Sequence, residues 1–129
     1  MRWLALTIGA AIILSVPAAS AETQIERELK MLAPTDRLLQ VCDYAAMKQI
    51  GAARNGLRPD RAVGDAMEHT VINNDHLLAK GAAFRSHGKW YALSYTCTTT
   101  PDHLQVLSFE YHIGPAIPED KWAHYGLWQ

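Results

Sequence analysis

The chain has 129 residues, of which 49% are hydrophobic and 19% are charged, and its formal net charge at pH 7 is −1. This length is typical of a single domain. The near balance of 12 basic and 13 acidic residues argues against a nucleic-acid-binding protein, which needs a concentrated basic face to contact phosphates.

The first 21 residues have the pattern of a secretory signal peptide. Arg2 precedes an apolar run over residues 3–16, and the small residues 19–21 follow. This pattern predicts cleavage after Ala21 and export to the periplasm or the medium. A retained membrane anchor is the alternative, but the run is shorter than the roughly 20 apolar residues that span a bilayer, so no stable membrane insertion is expected. The predicted domains are a signal peptide, 1–21, and a single small α+β domain, 22–129.

Two helices are predicted at the start of the mature chain. Thr23 and Glu26 form a capping box in the first, short helix. The second helix is predicted between Pro34 and Gly51, because proline favours a first turn and glycine often follows a last turn. Its predicted apolar face consists of Leu38, Val41, Cys42, Ala45 and Ala46, with Arg37, Asp43 and Lys48 mainly on the opposite side.

Residues 52–74 are predicted to form a loop with short extended pieces. Three strands are predicted after this loop, over residues 76–86, 89–98 and 103–113, with a two-residue hairpin turn at His87-Gly88. If Ser86 pairs with Lys89, one face is apolar, with the predicted opposite pairs Phe84 and Tyr91, Ala82 and Leu93, and Leu78 and Cys97.

A three-residue turn over 100–102 keeps the apolar residues of the third strand on this same face. It predicts the opposite pairs Tyr95 and Leu107, Leu93 and Phe109, and Tyr91 and Tyr111. Cys97 then faces the core, and the helix with Cys42 is expected to lie across it. In an exported chain two cysteines favour a disulfide, although a catalytic thiolate assisted by Asp43 or a distant histidine is the alternative.

The C-terminal sequence predicts a short helix from Pro118 to Gly126, with Trp122, Leu127 and Trp128 covering an edge or an end of the core. The predicted fold class is therefore α+β. N-terminal helices pack on an antiparallel sheet with a three-stranded meander at its centre, followed by a short C-terminal helix, and one disulfide joins Cys42 and Cys97.

Three segments resemble a family of small exported proteins of alphaproteobacteria that carries a domain-of-unknown-function label. They are LAPTDRLLQVCDYAAMKQI, AKGAAFRSHGKWYALSYTC and IPEDKWAHYGLW. The resemblance covers nearly the whole mature chain and implies export and a single domain. It implies no catalytic residue.

The polar residues do not form a recognisable catalytic or metal-binding motif. The histidines lack the close pairing that a zinc site uses; they are His69, His76, His87, His103, His112 and His124. Four carboxylates, Asp60, Asp65, Glu68 and Asp75, are spread through a segment without a predicted fold. We therefore predict no metal, no cofactor and no catalytic residues.

A binding surface is predicted on the face of the sheet that is opposite to the core. The predicted register brings together four polar or aromatic residues, Arg85, Trp90, Glu110 and His112, beside small residues that allow close approach. The alternatives are an ordinary solvent face, or a face covered by the first helix or the C-terminal tryptophans.

These features predict an exported periplasmic protein that acts as a non-catalytic binding or interaction module of the cell envelope. Its expected partner is an envelope protein or a glycan. The alternative is a small envelope hydrolase with an unrecognised carboxylate or His-carboxylate site.

Overall fold

The computed structural model describes residues 12, 15 and 21–129. The predicted signal peptide, 1–21, lies outside the described residues except for positions 12, 15 and 21. The helices are α1 (Gln24–Lys30), α2 (Pro34–Ala52) and α3 (Glu119–Trp122), which continues into a 3₁₀ turn, Ala123–Tyr125. The strands are β1 (Pro59–Val63), β2 (Val71–Asn73), β3 (His76–Ser86), β4 (Lys89–Thr99) and β5 (Val106–Ala116).

All strand pairs are antiparallel, and the sheet has the order β1-β3-β4-β5, with β2 also pairing with β3. Helix α2 packs on one face, which we call the inner face. The opposite face is called the outer face. This architecture confirms the predicted α+β class, with helices on an antiparallel sheet that contains the β3-β4-β5 meander, and β5 lies at one edge of the sheet.

Local sequence signals determine where the two N-terminal helices begin. The side chain of Thr23 accepts a hydrogen bond from the backbone N–H of Glu26, and Pro34 is the first residue of α2. The Arg37 guanidinium then joins α1, α2 and the β4–β5 turn, because it donates to four carbonyl oxygens. The acceptors are those of Leu29, Lys30, Leu32 and Asp102.

The predicted disulfide is present between α2 and the last part of β4. Cys42 and Cys97 are both fully buried, and their Cα atoms are 6.0 Å apart. The inner core around the disulfide contains Leu38, Val41, Ala46, Ile50, Leu77, Phe84, Leu93 and Tyr95. The prediction for Asp43 is wrong, because it is only 5% exposed and points into this core.

The predicted β3–β4 register is correct near the hairpin and wrong beyond a bulge. His87 and Gly88 both have positive φ, and Phe84 lies opposite Tyr91 as expected. The register shifts between Ala79 and Ala82, so that Leu77 instead of Leu78 lies opposite Cys97. The extra residue therefore turns Leu78 towards the outer face.

Gly81 allows another segment to pass directly over this bulge. The backbone N–H of Met67 donates to the Gly81 carbonyl at 2.7 Å, and a Cβ at Gly81 would collide with Glu68. The close approach explains why the position is a glycine. The contact lies at the register shift between Ala79 and Ala82.

The β4–β5 pairing has the predicted parity but a different register. Tyr95 lies opposite Tyr111 and Leu93 lies opposite Ile113, a displacement of four residues from the predicted pairs. The turn is longer than predicted, because the N–H of Thr100 donates to the Gln105 carbonyl. Thus β5 begins at Val106 instead of residue 103.

Candidate binding site

Residues 117–128, which we call the C-terminal segment, cover one half of the outer face. The Trp90 indole N–H donates to the Trp128 carbonyl at 2.6 Å, and the Trp122 indole N–H donates to the Ile117 carbonyl at 2.9 Å. These contacts complete a second core that contains Ala83, Trp90, Ile117, Trp122 and Leu127. Trp90 is fully buried, so it does not lie on an accessible surface, and the alternative of a face covered by the C-terminal tryptophans is correct at this end of the sheet.

Arg85 lies beside Trp90, as the hairpin register predicted, but its charged group is already paired. Its Nε and Nη2 atoms donate to the two carboxylate oxygens of Asp60 at 2.9 and 2.7 Å. These hydrogen bonds lower the pKa of Asp60 and raise that of Arg85. The guanidinium carbon is also 5.9 Å from the centre of the Trp90 ring.

Glu110 and His112 are exposed on the other, open half of the outer face. Glu110 lies opposite Thr96, and His112 lies opposite Ser94. They were expected beside Ala92 and Trp90. The four-residue displacement of β5 therefore separates the predicted cluster into two pairs, with Arg85 and Trp90 at one end and Glu110 and His112 at the other.

The open half contains two adjoining depressions, which we call the outer trough. Their volumes are about 340 and 180 Å³, and Lys80, Ser94 and His112 line both of them. The other residues that contribute to the outer trough include Leu78, Thr96, Glu110, Ala92 and Gly114. Ala92 also lines a further depression of about 260 Å³ beside Tyr125, so a shallow path continues along the strands.

The outer trough combines different kinds of polar group over a floor of small residues. Lys80 supplies a cation, Glu110 an anion and His112 an imidazole, and all three residues are exposed. In the part of the chain that the structure describes, none of the three takes part in an ion pair. These groups are therefore available to a polar ligand.

A second depression, which we call the apolar groove, lies between α2 and the start of β5. It has a volume of about 500 Å³, and Leu107 and Tyr44 on its walls are 67% and 38% exposed. Its other lining residues include Val41, Ala45, Lys48, Val106 and Phe109. Leu107 was predicted to face the core, but a register shift between Thr98 and Thr99 displaces it.

Asp43 is a buried acid that the predicted helix faces missed. Its carboxylate accepts hydrogen bonds from the Tyr95 hydroxyl at 2.8 Å and the Gly64 N–H at 3.3 Å. Burial raises the pKa of Asp43 to about 7, and burial also raises the pKa of Tyr95. Because Asp43 is enclosed by the inner core, a ligand on the surface cannot reach it.

His103 and Asp75 form a His-carboxylate pair beside the β4–β5 turn and the start of α2. The Nε2 atom of His103 is 3.0 Å from the Asp75 carboxylate, and its Nδ1 atom is 2.8 Å from the Pro34 carbonyl. Both ring nitrogens thus have protein partners. The pair joins the β4–β5 turn to α2 and β3 and leaves no ring nitrogen for a substrate.

Two further properties concern residues 12, 15 and 21–129 only. No cluster of three or more His, Cys, Asp or Glu side chains has an arrangement that could hold a metal ion. Among these residues no helix is long and apolar enough to cross a membrane.

Comparisons with known proteins identify the family of the chain. A comparison with curated proteins and with solved structures finds no match. One family model matches residues 29–127, which include α2, the whole sheet, α3 and the 3₁₀ turn. The chain therefore belongs to the family described as Domain of Unknown Function (DUF930).

Proposed function

We propose that this protein is an exported periplasmic binding module of the cell envelope, and that its outer trough binds an envelope glycan. The observation that carries the proposal is the presence of Lys80, Glu110 and His112, all exposed, around an open floor of small residues. Of the four residues of the predicted binding surface, the proposal retains Glu110 and His112. It leaves out the other two because Trp90 is buried and Arg85 is paired with Asp60.

The position of the trough favours a glycan over an added polypeptide strand. The strand β4 lies between β3 and β5, so its backbone groups are already used within the sheet. A ligand on this face must therefore be recognised by side chains. The hydroxyls of Ser94 and Thr96 and the charged groups of Lys80 and Glu110 can pair with sugar hydroxyls, amides and carboxylates, directly or through water.

The small residues of the floor allow a flat ligand to approach the sheet. Ala92, Ser94 and Gly114 place little volume between the backbone and a sugar ring. The path past Ala92 towards Tyr125 continues along the strands, and a linear polymer can follow it. A glycan strand is therefore a better match to this surface than a compact small molecule.

Export is proposed from residues 1–21 and from the resemblance to alphaproteobacterial exported proteins. The Cys42–Cys97 disulfide supports this proposal, because structural disulfides persist in oxidising compartments. Fractionation of the native cells and mass spectrometry of the purified protein test it. We expect a periplasmic or secreted chain that begins at Glu22, and a cytoplasmic chain with an intact N-terminus would contradict the proposal.

The hydrolase alternative gains no support from the two acidic sites near the inner core. The His103–Asp75 pair has both ring nitrogens engaged, and Asp43 is enclosed. General acid-base catalysis needs groups that reach the substrate. A binding role for the outer trough is the better-supported reading.

Cosedimentation with purified cell-wall sacculi tests the glycan proposal. We expect the protein to pellet with sacculi, and we expect Lys80→Ala, Glu110→Gln and His112→Gln each to reduce the bound fraction at least threefold. Soluble muramidase fragments of the sacculi are expected to compete.

Two matched controls carry the lysine and the glutamate change on exposed helix residues. Lys48→Ala and Glu28→Gln lie on α2 and α1, away from the trough, and should bind like the unmodified protein. Equal binding by trough variants and controls would contradict the proposed site. No cosedimentation at low salt would contradict the glycan as the ligand.

A further inference from the structure

Strand β5 forms an edge of the sheet. Among the described residues, no strand pairs with β5 on the side that points away from β4. It has eleven residues and pairs only with β4. The backbone N–H and C=O groups that point away from β4 are therefore available to another strand. Proteins usually protect such an edge with short strands, prolines, bulges or charges, because exposed edges recruit other strands.

The proline and the register shifts of β5 lie near its two ends. Pro115 lies near one end, and the register shift beside Leu107 lies near the other. The stretch 108–114 between them contains no proline and continues to pair regularly with β4 from Ser108 to Ile113. It is therefore long and regular enough for one more strand to pair with it.

The side chains of β5 also differ between the two faces. Phe109, Tyr111 and Ile113 are half-buried on the inner face, where they pack against the core beside the apolar groove. Glu110 and His112 alternate with them and are exposed on the outer face. An added strand must therefore be apolar on one face and complementary to one anion and one imidazole on the other.

The sequence of β5 meets these requirements itself. In an antiparallel pair of identical strands, the two-fold axis passes through one residue that lies opposite its own copy, because only residues of the same hydrogen-bonding class can pair. With the axis at Tyr111, Glu110 of each copy lies opposite His112 of the second copy. Phe109 then lies opposite Ile113 of the second copy, so both faces match.

The neighbouring registers are worse. An axis at Glu110 places the two Glu110 carboxylates opposite each other, and an axis at His112 places the two imidazoles opposite each other. Directly opposed carboxylates are destabilising, so the register centred on Glu110 is unfavourable. The register centred on His112 places Glu110 opposite Gly114 and leaves its carboxylate without a partner, whereas the register centred on Tyr111 lets this carboxylate accept a hydrogen bond from an imidazole N–H of the second copy.

We propose that the protein forms a symmetric homodimer in which the β5 strands of two copies pair antiparallel about Tyr111. The sheet becomes continuous across the two copies, with both α2 helices on the same face. The exposed side chains of Leu107 and Tyr44 then border the new pair of strands.

This proposal does not rest on glycan binding, because its readout is the molecular mass in the absence of any glycan. Glu110 and His112 belong to both proposals, whereas Lys80 lies on β3, outside the new pair of strands. Lys80→Ala should therefore reduce sacculus binding and leave the mass unchanged, which distinguishes the two proposals.

Sedimentation velocity of the protein purified from cells that express the full chain tests the mass. We expect a dimer at tens of micromolar and dissociation on dilution. In the symmetric dimer, His112→Glu places Glu110 of each copy opposite a carboxylate of the second copy. This variant should therefore raise the dissociation constant of the dimer at least tenfold. The double exchange Glu110→His with His112→Glu restores opposite pairs and should restore the dimer.

A crosslinking experiment tests the register independently of the charges. Because Cys42 and Cys97 are bonded, Tyr111→Cys introduces the one free thiol of the described residues. The two copies of this residue lie at the two-fold axis, so a short bismaleimide should join them. Ser108→Cys is the matched control, since its copies are roughly 20 Å apart in this register at 3.4 Å per residue.

Each of three results would overturn the proposal. They are a monomer at all concentrations, a dimer that His112→Glu leaves unchanged, and crosslinking of Ser108→Cys that equals that of Tyr111→Cys. A folded circular dichroism spectrum of each variant is the condition for counting its result.

Discussion

The two faces of the sheet are covered by different means. On the inner face, the 19-residue helix α2 lies across the strands, and a disulfide joins Cys42 of this helix to Cys97 of β4. On the outer face, a short C-terminal segment covers only Trp90 and its neighbours, through two indole hydrogen bonds and apolar contacts. The rest of the outer face is open.

This difference separates the part of the molecule that maintains the fold from the part that can contact a ligand. The inner core is closed covalently and contains most of the large buried side chains, whereas the second core on the outer face, which we call the outer core, is held by two indole hydrogen bonds and apolar contacts. A segment with few buried apolar contacts opens locally more easily than a cross-linked core. We therefore expect perturbations of the inner face to affect the whole fold and those of the outer face to be more local.

Removal of the disulfide has the largest expected effect. Its cysteines are 55 residues apart in sequence, and a crosslink over such a loop contributes about 4 kcal/mol in the chain-entropy model. We expect Cys42→Ala with Cys97→Ala to lower the free energy of unfolding in urea by about this amount. The unmodified protein, denatured without reductant, should show no reactive thiol, and two reactive thiols would contradict the bond.

Trp90→Ala is expected to have the next largest effect and is the test of the outer core. Trp90 is fully buried, and truncation of a buried aromatic residue costs about 3 kcal/mol. Trp128→Ala is the matched control, because Trp128 is 47% exposed and its backbone carbonyl remains available to Trp90. Urea denaturation should show a much smaller loss for Trp128→Ala; equal losses would mean that Trp90 is not enclosed as described.

Hydrogen exchange of the Trp90→Ala variant sharpens the comparison of the two faces. We expect faster exchange in the C-terminal segment and at the Trp90 end of β4, with protection retained in α2. Uniform loss of protection would show instead that both cores unfold as one unit.

The elements that local signals specify were predictable from the sequence. The capping box at Thr23, the proline at the start of α2 and the His87-Gly88 turn depend on residues within one or two turns of each other. The predicted span of β3, residues 76–86, is therefore correct. The disulfide followed, because the helix period and the strand alternation independently placed both cysteines towards the core.

The register of β5 was not predictable in this way, and the covering of Trp90 by the C-terminal tryptophans was predicted only as an alternative. The bulge in β3 lies where Glu68 and Met67 pass over Gly81, and the β4–β5 turn is closed by the Thr100–Gln105 backbone bond. Such contacts have no local pattern in the sequence. Since Glu110 and His112 take their neighbours from this register, the predicted four-residue site could not be placed correctly.

A smaller effect is expected from the titration of Asp43 in the inner core. Its pKa of about 7 in the folded state exceeds the ordinary 3.8, so the folded state binds the proton more tightly than the unfolded state. The contribution of the Asp43 carboxyl to the free energy of unfolding is complete below pH 3.8. It decreases as the pH rises through the folded pKa of about 7 and stays constant at higher pH. The decrease is at most about 1.4 kcal/mol per pH unit.

Urea denaturation between pH 4.5 and 8 tests this dependence. We expect the unmodified protein to lose stability as the pH rises, and we expect Asp43→Asn, which has no titrating group, to show a flatter dependence. The exposed carboxylates of Asp60 and Asp102 have lowered pKa values and change below this range. Parallel pH dependence of the two proteins would show that Asp43 is not the responsible group.

The smallest effect is expected from Arg85→Ala, which tests where the binding surface ends. Arg85 belonged to the predicted site, but its guanidinium pairs with Asp60 and lies over Trp90 at the covered end of the outer face. We therefore expect sacculus binding to be unchanged and the melting temperature to fall far less than in Trp90→Ala. Arg61→Ala, at an exposed residue of the neighbouring strand β1, is the matched control for loss of a positive charge. If Arg85→Ala reduced sacculus binding while Arg61→Ala did not, the ligand would have to reach the Arg85 end of the covered half, and the binding surface would extend beyond the path from the outer trough to Tyr125.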